Sequence, residues 1–179
     1  MIYVFLAEGF EEIEALATVD VLRRAELPVQ TVGVGGDWIC GSHGMRIQTD
    51  IREEDVELAK AQVIVLPGGM PGTRNLEASA DVQRALDYMT KNDRYIAAIC
   101  AAPSILGHRG QLNGKRATCF PGFEKDCSGA VIFDEPAVAD GRIITGKGAG
   151  AAIDFALTIV EQLKGRSVSD ALRAAMQCR

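Results

Sequence analysis

Tyr95-Ile-Ala-Ala-Ile-Cys-Ala-Ala-Pro103 is the stretch on which the reading of the whole chain turns. Tyr95–Ile99 is a short apolar run of the kind that fills a strand buried on both faces. Pro103 follows three residues after Cys100, and proline suits the first turn of a helix, whose N–H groups have no partner in any case. The run reads as strand, sharp turn, helix, with Cys100 on the turn. Ala98 and Ala102 stand two residues to either side of it. Those are the small-residue positions of a G-x-S-x-G nucleophile elbow, where a larger side chain would meet the crossing backbone. Alanine in place of glycine makes the match partial. A thiol at a helix N-terminus faces unpaired N–H groups and the positive end of the dipole, which favours thiolate and lowers its pKa. The other reading is that Cys100 is a small buried hydrophobe.

Outward from this elbow, strand and helix patterns alternate. Apolar runs predict strands over residues 2–7, 29–34 and 63–66, with shorter ones over 38–40 and 45–49 flanking the Gly41-Ser-His-Gly44 loop. Ile13, Leu16, Val19 and Leu22 recur every third residue and predict a helix over 11–25, acidic at its start and carrying Arg23 and Arg24 in its last turn. Val82, Ala85, Leu86 and Met89 predict a second over 81–92. A short helix is expected over 53–61, another from the elbow to about residue 108, and strands over 116–120 and 130–133. Asp140-Gly141 is a type I′ hairpin signal joining strands at 137–139 and 142–145. The longest helix is expected over 151–164, with Gly165 as its C-cap, and a last one over 167–176. No repeat, linker or low-complexity tract interrupts the pattern. It predicts one α/β domain, residues 1–179, with a mainly parallel sheet covered on both faces.

In such a sheet every parallel strand ends at the same edge, and ligands bind there. Four features fall on that edge: the acidic turn after Ala7, Pro67-Gly68-Gly69, Cys100, and the loop at Gly148–Gly150. Their convergence favours the reactive reading of Cys100. Of Glu11, Glu12 and Glu14, two are expected to be solvated and one to face the sulfur, where a partly buried carboxyl would keep its proton. Gly68 and Gly69 either make a turn or aim N–H groups at an oxyanion.

Composition narrows the function. The chain of 179 residues is 47% hydrophobic and 24% charged, with a net charge of −5 and no basic cluster, which argues against nucleic-acid or anionic-membrane binding. Neither a signal peptide nor a run of membrane-spanning length is visible. The five cysteines are odd in number and contain no C-x-x-C pair, which points away from a disulfide framework or zinc site and toward a cytoplasmic setting. His43 and His108 are too far apart in sequence to make a metal site alone, so no metal is expected.

Leu6-Ala-Glu-Gly-Phe-Glu-Glu-Ile-Glu14, Val19-Asp-Val-Leu-Arg-Arg-Ala25, Val65-Leu-Pro-Gly-Gly69, Ala97-Ala-Ile-Cys-Ala-Ala-Pro103 and Ile153-Asp-Phe-Ala-Leu-Thr-Ile-Val160 together resemble the ThiJ/PfpI superfamily, in its DJ-one and bacterial ThiJ-type branch. The resemblance spans essentially the whole chain. It implies a flavodoxin-like three-layer sandwich and commonly a homodimer. It also implies a nucleophilic Cys100, a protonated Glu14 beside it, backbone from Gly68, Gly69 and Ala101 facing the sulfur, and Arg24, His43 and Phe120 around them. Cysteine oxidation to sulfinate is typical of the branch. Two departures matter. PfpI-type proteases carry histidine directly after the cysteine, where this chain has Ala101, which argues against peptidase activity. DJ-one members carry histidine before a proline where this chain has Phe120-Pro121, as bacterial relatives do.

Two functions follow. In the first, a cofactor-independent enzyme of glyoxalase or deglycase type removes small reactive carbonyls: Cys100 adds to an α-oxoaldehyde such as methylglyoxal and Glu14 moves the proton, giving a 2-hydroxy acid. In the second, a non-enzymatic stress sensor or redox-regulated chaperone works through Cys100 oxidation. Both use the same residues.

Overall fold

Side-chain alternation within the strands sets the layers. In β1 (Ile2–Leu6), Ile2, Val4 and Leu6 enter one apolar cluster while Tyr3 and Phe5 enter another, as a strand covered on both faces requires. The computed structural model describes residues 1–178. After β1 come α1 (Glu12–Arg24), β2 (Val29–Gly33), β3 (Trp38–Cys40), β4 (Arg46–Gln48), β5 (Ile51–Arg52), β6 (Val63–Leu66), α2 (Gly72–Ala78), α3 (Ala80–Lys91), β7 (Tyr95–Ile99) and α4 (Pro103–His108). The chain continues through β8 (Arg116–Ala117), β9 (Val131–Ile132), β10 (Ala137–Asp140), β11 (Ile143–Gly146), α5 (Ala152–Lys164) and α6 (Arg166–Ala175).

One seven-stranded sheet runs β10-β11-β7-β6-β1-β2-β5, parallel throughout except for the antiparallel edge strand β10. On one face α1 packs against α5 and α5 against α6. The other face is covered through Leu76 of α2, Val82, Leu86 and Met89 of α3, and Ile105 and Leu106 of α4. This is the α/β sandwich that the strand–helix alternation predicts, in the flavodoxin-like form that the family resemblance implies. Four neighbouring strands, β11, β7, β6 and β1, end side by side, so their following loops meet at one edge. No helix among the described residues is long and apolar enough to cross a membrane.

Local departures have identifiable causes. Residues 53–61 form two 3₁₀ turns, Glu53–Asp55 and Leu58–Lys60, instead of a helix, because Val56 between them is extended (ψ 116°) and packs into the core. The strand expected over 116–120 stops at Ala117: the Thr118 N–H turns to Thr145 Oγ1 at 2.9 Å, and the Phe120 N–H leaves for Cys100 O. The strand expected over 130–133 shrinks to its parallel pairing with β8. In the β10–β11 hairpin Asp140 pairs with Ile143, so the central residues are Gly141 and Arg142. Only Gly141 has positive φ (61°), which rules out the expected type I′ turn. The stripe read on α1 is rotated: Ile13 is 57% exposed, whereas Ala15, Thr18, Val19 and Leu22 face the core. Ile153 likewise lies outside the buried face of α5.

Candidate active site

Cys100 holds the backbone conformation that an elbow demands. Its φ is +65°, a left-handed value that costs a residue with a side chain about 1–2 kcal/mol and survives only when neighbours enforce it. They do so from both sides. The Cys100 N–H donates to Gly146 O at 2.9 Å, at the end of β11, and the Cys100 carbonyl accepts the Phe120 N–H at 2.8 Å. Ala98 and Ala102 are fully buried beneath the turn, and Pro103 opens α4 at its first position.

Glu14 reaches the same place from α1. The Glu11 carboxylate caps that helix, accepting the Glu14 N–H at 2.7 Å, and the Glu11 N–H is held by Gly68 O at 2.9 Å. One turn in, the Glu14 side chain lies in the core, 1% exposed. Its Oε2 accepts the Gly68 N–H at 2.8 Å, and its Oε1 is buried with no such partner. The polar group beside the carboxyl is the Cys100 thiol. Burial pushes the Glu14 pKa up to about 7, against the pull of the neighbouring Cys100 thiol and the Gly68 N–H; the Glu11 charge adds to the rise.

The thiol does not follow the expectation of a depressed pKa. Burial and then the Glu14 charge push Cys100 up to about 12, while the Ala101 and Gly69 N–H groups pull the other way. The two acids form one coupled unit. Its first proton leaves near neutrality, chiefly from Glu14, and the negative charge left behind opposes a second loss from sulfur. The thiol is therefore the resting form, with a carboxylate beside it able to accept its proton.

The neighbouring backbone divides its work. Gly69 and Ala101 direct N–H groups at the sulfur. Gly68, expected to do the same, gives its N–H to Glu14 instead. A Cβ on Gly68 would stand 2.7 Å from Cys100 Cβ and 2.8 Å from Glu14 Oε2, so the absence of a side chain there lets thiol and carboxyl approach.

Glu12 overturns its expected exposure. It is 3% exposed and binds the Gly41–Met45 loop. Its Oε1 accepts the His43 N–H at 2.7 Å and the Met45 N–H at 3.4 Å; its Oε2 accepts the Ser42 hydroxyl at 3.3 Å and lies 2.9 Å from His43 Nδ1. Burial opposes the charge, but these bonds outweigh it and hold the Glu12 pKa at about 2. His43 itself is exposed, its pKa raised by the Glu12 bond. The Glu11, Glu12 and His43 ligand atoms lie within 4.8 Å of one another. Glu12's oxygens are already filled by donors, so the group is a hydrogen-bonded clamp. Sequence gave no local sign of it, since its ends are 31 residues apart.

Arg24 falls outside the site. It lies in the last turn of α1, at the far end from Glu14, exposed and paired with Asp20 at 2.7 Å. Phe120 is beside the elbow: its N–H holds Cys100 O and its half-exposed ring packs over Gly148. Phe120, Pro121, Gly148, Ala151 and Asp154 line a cleft of about 570 Å³ next to the turn.

A parallel α/β sheet with a cysteine on a strained strand-to-helix turn and a buried carboxyl against it defines a narrow class of proteins. Residues 1–162 match the DJ-1/PfpI family, and the chain belongs to that family. Protein dj-1beta of Drosophila melanogaster is 37% identical over 166 residues, covering 91% of this chain and 89% of the relative. The crystal structure of that Drosophila protein superposes with a TM-score of 0.93 at 34% identity, covering 99% and 97% of the two chains. The glutathione-independent glyoxalase DJR-1.2 of Caenorhabditis elegans is 35% identical over 167 residues, covering 92% and 89%. An oxidized DJ-1 from Toxoplasma gondii superposes with a TM-score of 0.94 at 30% identity, covering 98% and 97%.

Proposed function

We propose that this chain is a cofactor-independent, cysteine-dependent enzyme that converts α-oxoaldehydes such as methylglyoxal to 2-hydroxy acids. The observation that carries this reading is the buried Glu14 carboxyl against the Cys100 thiol, with a pKa of about 7, where a group that both takes and gives protons works best. In the proposed sequence Cys100 sulfur bonds to the aldehyde carbon as its proton passes to Glu14. The carbonyl oxygen takes that proton and becomes the hemithioacetal hydroxyl, polarised by N–H groups of Gly69 and Ala101. Glu14 then removes the proton from the former aldehyde carbon and returns it to the adjacent carbon, while the hydroxyl proton passes to the neighbouring oxygen, leaving a thioester. Water cleaves the thioester, releasing lactate and the free thiol. The relative DJR-1.2, a glutathione-independent glyoxalase, supports this reaction class. Deglycation of early carbonyl adducts would use the same groups. The test is lactate formed from methylglyoxal, wild type beside Cys100→Ser; equal rates would remove the proposal.

A second reading, a sensor acting through Cys100 oxidation to sulfinate, draws support from the oxidized Toxoplasma relative. It predicts that Cys100 oxidises while methylglyoxal persists. We also propose a homodimer. The apolar stretch at residues 15–21 does not supply the interface, because Ala15, Val19 and Val21 are in the chain's own core. The outward face of α1, led by Ile13, is the alternative.

A further inference from the structure

Away from Cys100, on the opposite face of the sheet, two more thiols share one apolar pocket. Cys119 is 4% exposed and Cys127 2%, and both belong to the cluster that holds Ala102, Ile105, Leu106 and Leu112. Cys100 packs against the other cluster, so neither is its partner. The two thiols are free and close enough that the Cys127 thiol lowers the Cys119 pKa while Cys119 raises that of Cys127.

The segment between them is tightly folded. Phe123 N–H donates to Phe120 O at 3.0 Å, Cys127 N–H to Phe123 O at 3.2 Å, and Ala130 N–H to Cys127 O at 3.1 Å. Its two ends are tied to the catalytic elbow. Residue 120, next to Cys119, holds the Cys100 carbonyl at 2.8 Å. The Cys127 backbone lies on Gly107 of α4, where a Cβ would stand 2.6 Å from Cys127 Cα.

We propose that Cys119 and Cys127 form a reversible redox site that small hydroperoxides oxidise to an intramolecular disulfide, fastening the loop that grips the elbow. A solitary buried thiol is inert because burial disfavours its anion. Here the buried Cys127 thiol beside Cys119 favours the anion on Cys119 sulfur and keeps the second sulfur in the same pocket. Cys119 sulfur attacks one peroxide oxygen; the O–O bond breaks, and the departing oxygen takes the thiol proton and leaves as water or an alcohol. Cys127 sulfur then attacks Cys119 sulfur, the S–O bond breaks, and the hydroxide leaves with the Cys127 proton as water. Two thiols are oxidised and one peroxide is reduced. Burial excludes bulky oxidants, and a small dithiol reverses the step by exchange.

The test uses Cys100→Ser protein, so that oxidation at the elbow does not intervene. After hydrogen peroxide treatment, native protein recovered by gel filtration is digested with trypsin without reductant. Peptides 117–125 and 126–142 are expected as one species, lighter than their sum by two hydrogens. The species should vanish on reduction and be missing from the Cys127→Ser variant. The oxidised protein should also melt roughly 5 °C higher than the reduced form, since the link closes a short loop. If Cys127→Ser fails to fold, the linked peptide and the reversible melting shift still decide. Sulfinate on Cys119 beside an untouched Cys127, or both thiols unmodified while Cys40 and Cys178 oxidise, would overturn the proposal.

Discussion

Gly68 and Glu14 meet in a buried 2.8 Å hydrogen bond from the Gly68 N–H to Oε2, which leaves Oε1 as the carboxyl oxygen without a backbone donor. One glycine thus orients the acid and, lacking a side chain, makes room for the sulfur beside it.

Glu14→Gln keeps an oxygen for Gly68 but cannot carry a proton. Turnover of methylglyoxal is expected to fall by a factor of about 100 or more, the usual scale for a lost general acid–base. The same change removes the charge that raises the Cys100 pKa. The pH midpoint of Cys100 alkylation, read by peptide mass spectrometry, should therefore move down relative to wild type. An upward move would mean that Glu14 favours thiolate.

Glu14 also ties stability to pH. Its folded pKa, about 7, lies above the ordinary 4.5, so the protonated acid stabilises the fold fully below pH 4.5, and that contribution is lost as pH rises through 7. The loss is roughly 3 kcal/mol. Urea midpoints of wild type minus those of Glu14→Gln, taken from pH 4 to 8, should fall across this window. A flat difference would refute the raised pKa.

Glu12→Gln is expected to destabilise by about 2 kcal/mol, because an anion that accepts several N–H and O–H bonds becomes a neutral amide. The sign with pH is opposite to that of Glu14. With a folded pKa held at about 2, the Glu12 contribution is complete above 4.5 and disappears as pH falls toward 2. Urea melts of both proteins at pH 3 and pH 7 check this.

Gly68→Ala should cost about 1–3 kcal/mol through overpacking and depress turnover further than the lost stability explains, since the new methyl group would wedge thiol from carboxyl. Arg24→Ala, which removes an exposed i, i+4 pair, should leave turnover unchanged and stability within about 0.5 kcal/mol. Steady-state assays and melts on both variants separate the two cases.

Light scattering at micromolar concentration should return twice the 19.1 kDa chain mass. Ile13→Glu, at an outward position of α1, should return the single-chain mass with the fold intact by circular dichroism.

Much of this arrangement was legible in the residues. Continuous apolar runs in β1, β6 and β7 and the helical spacing in α3 gave the layers, because each signal is local and extends over several residues. Cys100 could be placed because strand ends in a parallel sheet share an edge, whereas Glu14 was separated from Glu11 and Glu12 only by the family resemblance. Contacts between distant segments that no local pattern encodes stayed hidden: Glu12 with His43, Phe120 with Cys100, and Gly68 turned to Glu14. The rotation of α1 was misread because Ile13 and Leu16 look like core residues, whereas the site requires the buried face to include Glu14.

The two hydrogen bonds of the Cys100 backbone also bear on motion. Both cross to other segments, to Gly146 and to Phe120, so the turn cannot fray by itself as an ordinary surface loop does. Its opening is tied to separation of β7 from β11 in the middle of the sheet. Amide hydrogens of Cys100 and Phe120 should then exchange with solvent at rates set by large-scale unfolding, and the reactive atom stays fixed in position while the segments around the cleft fluctuate.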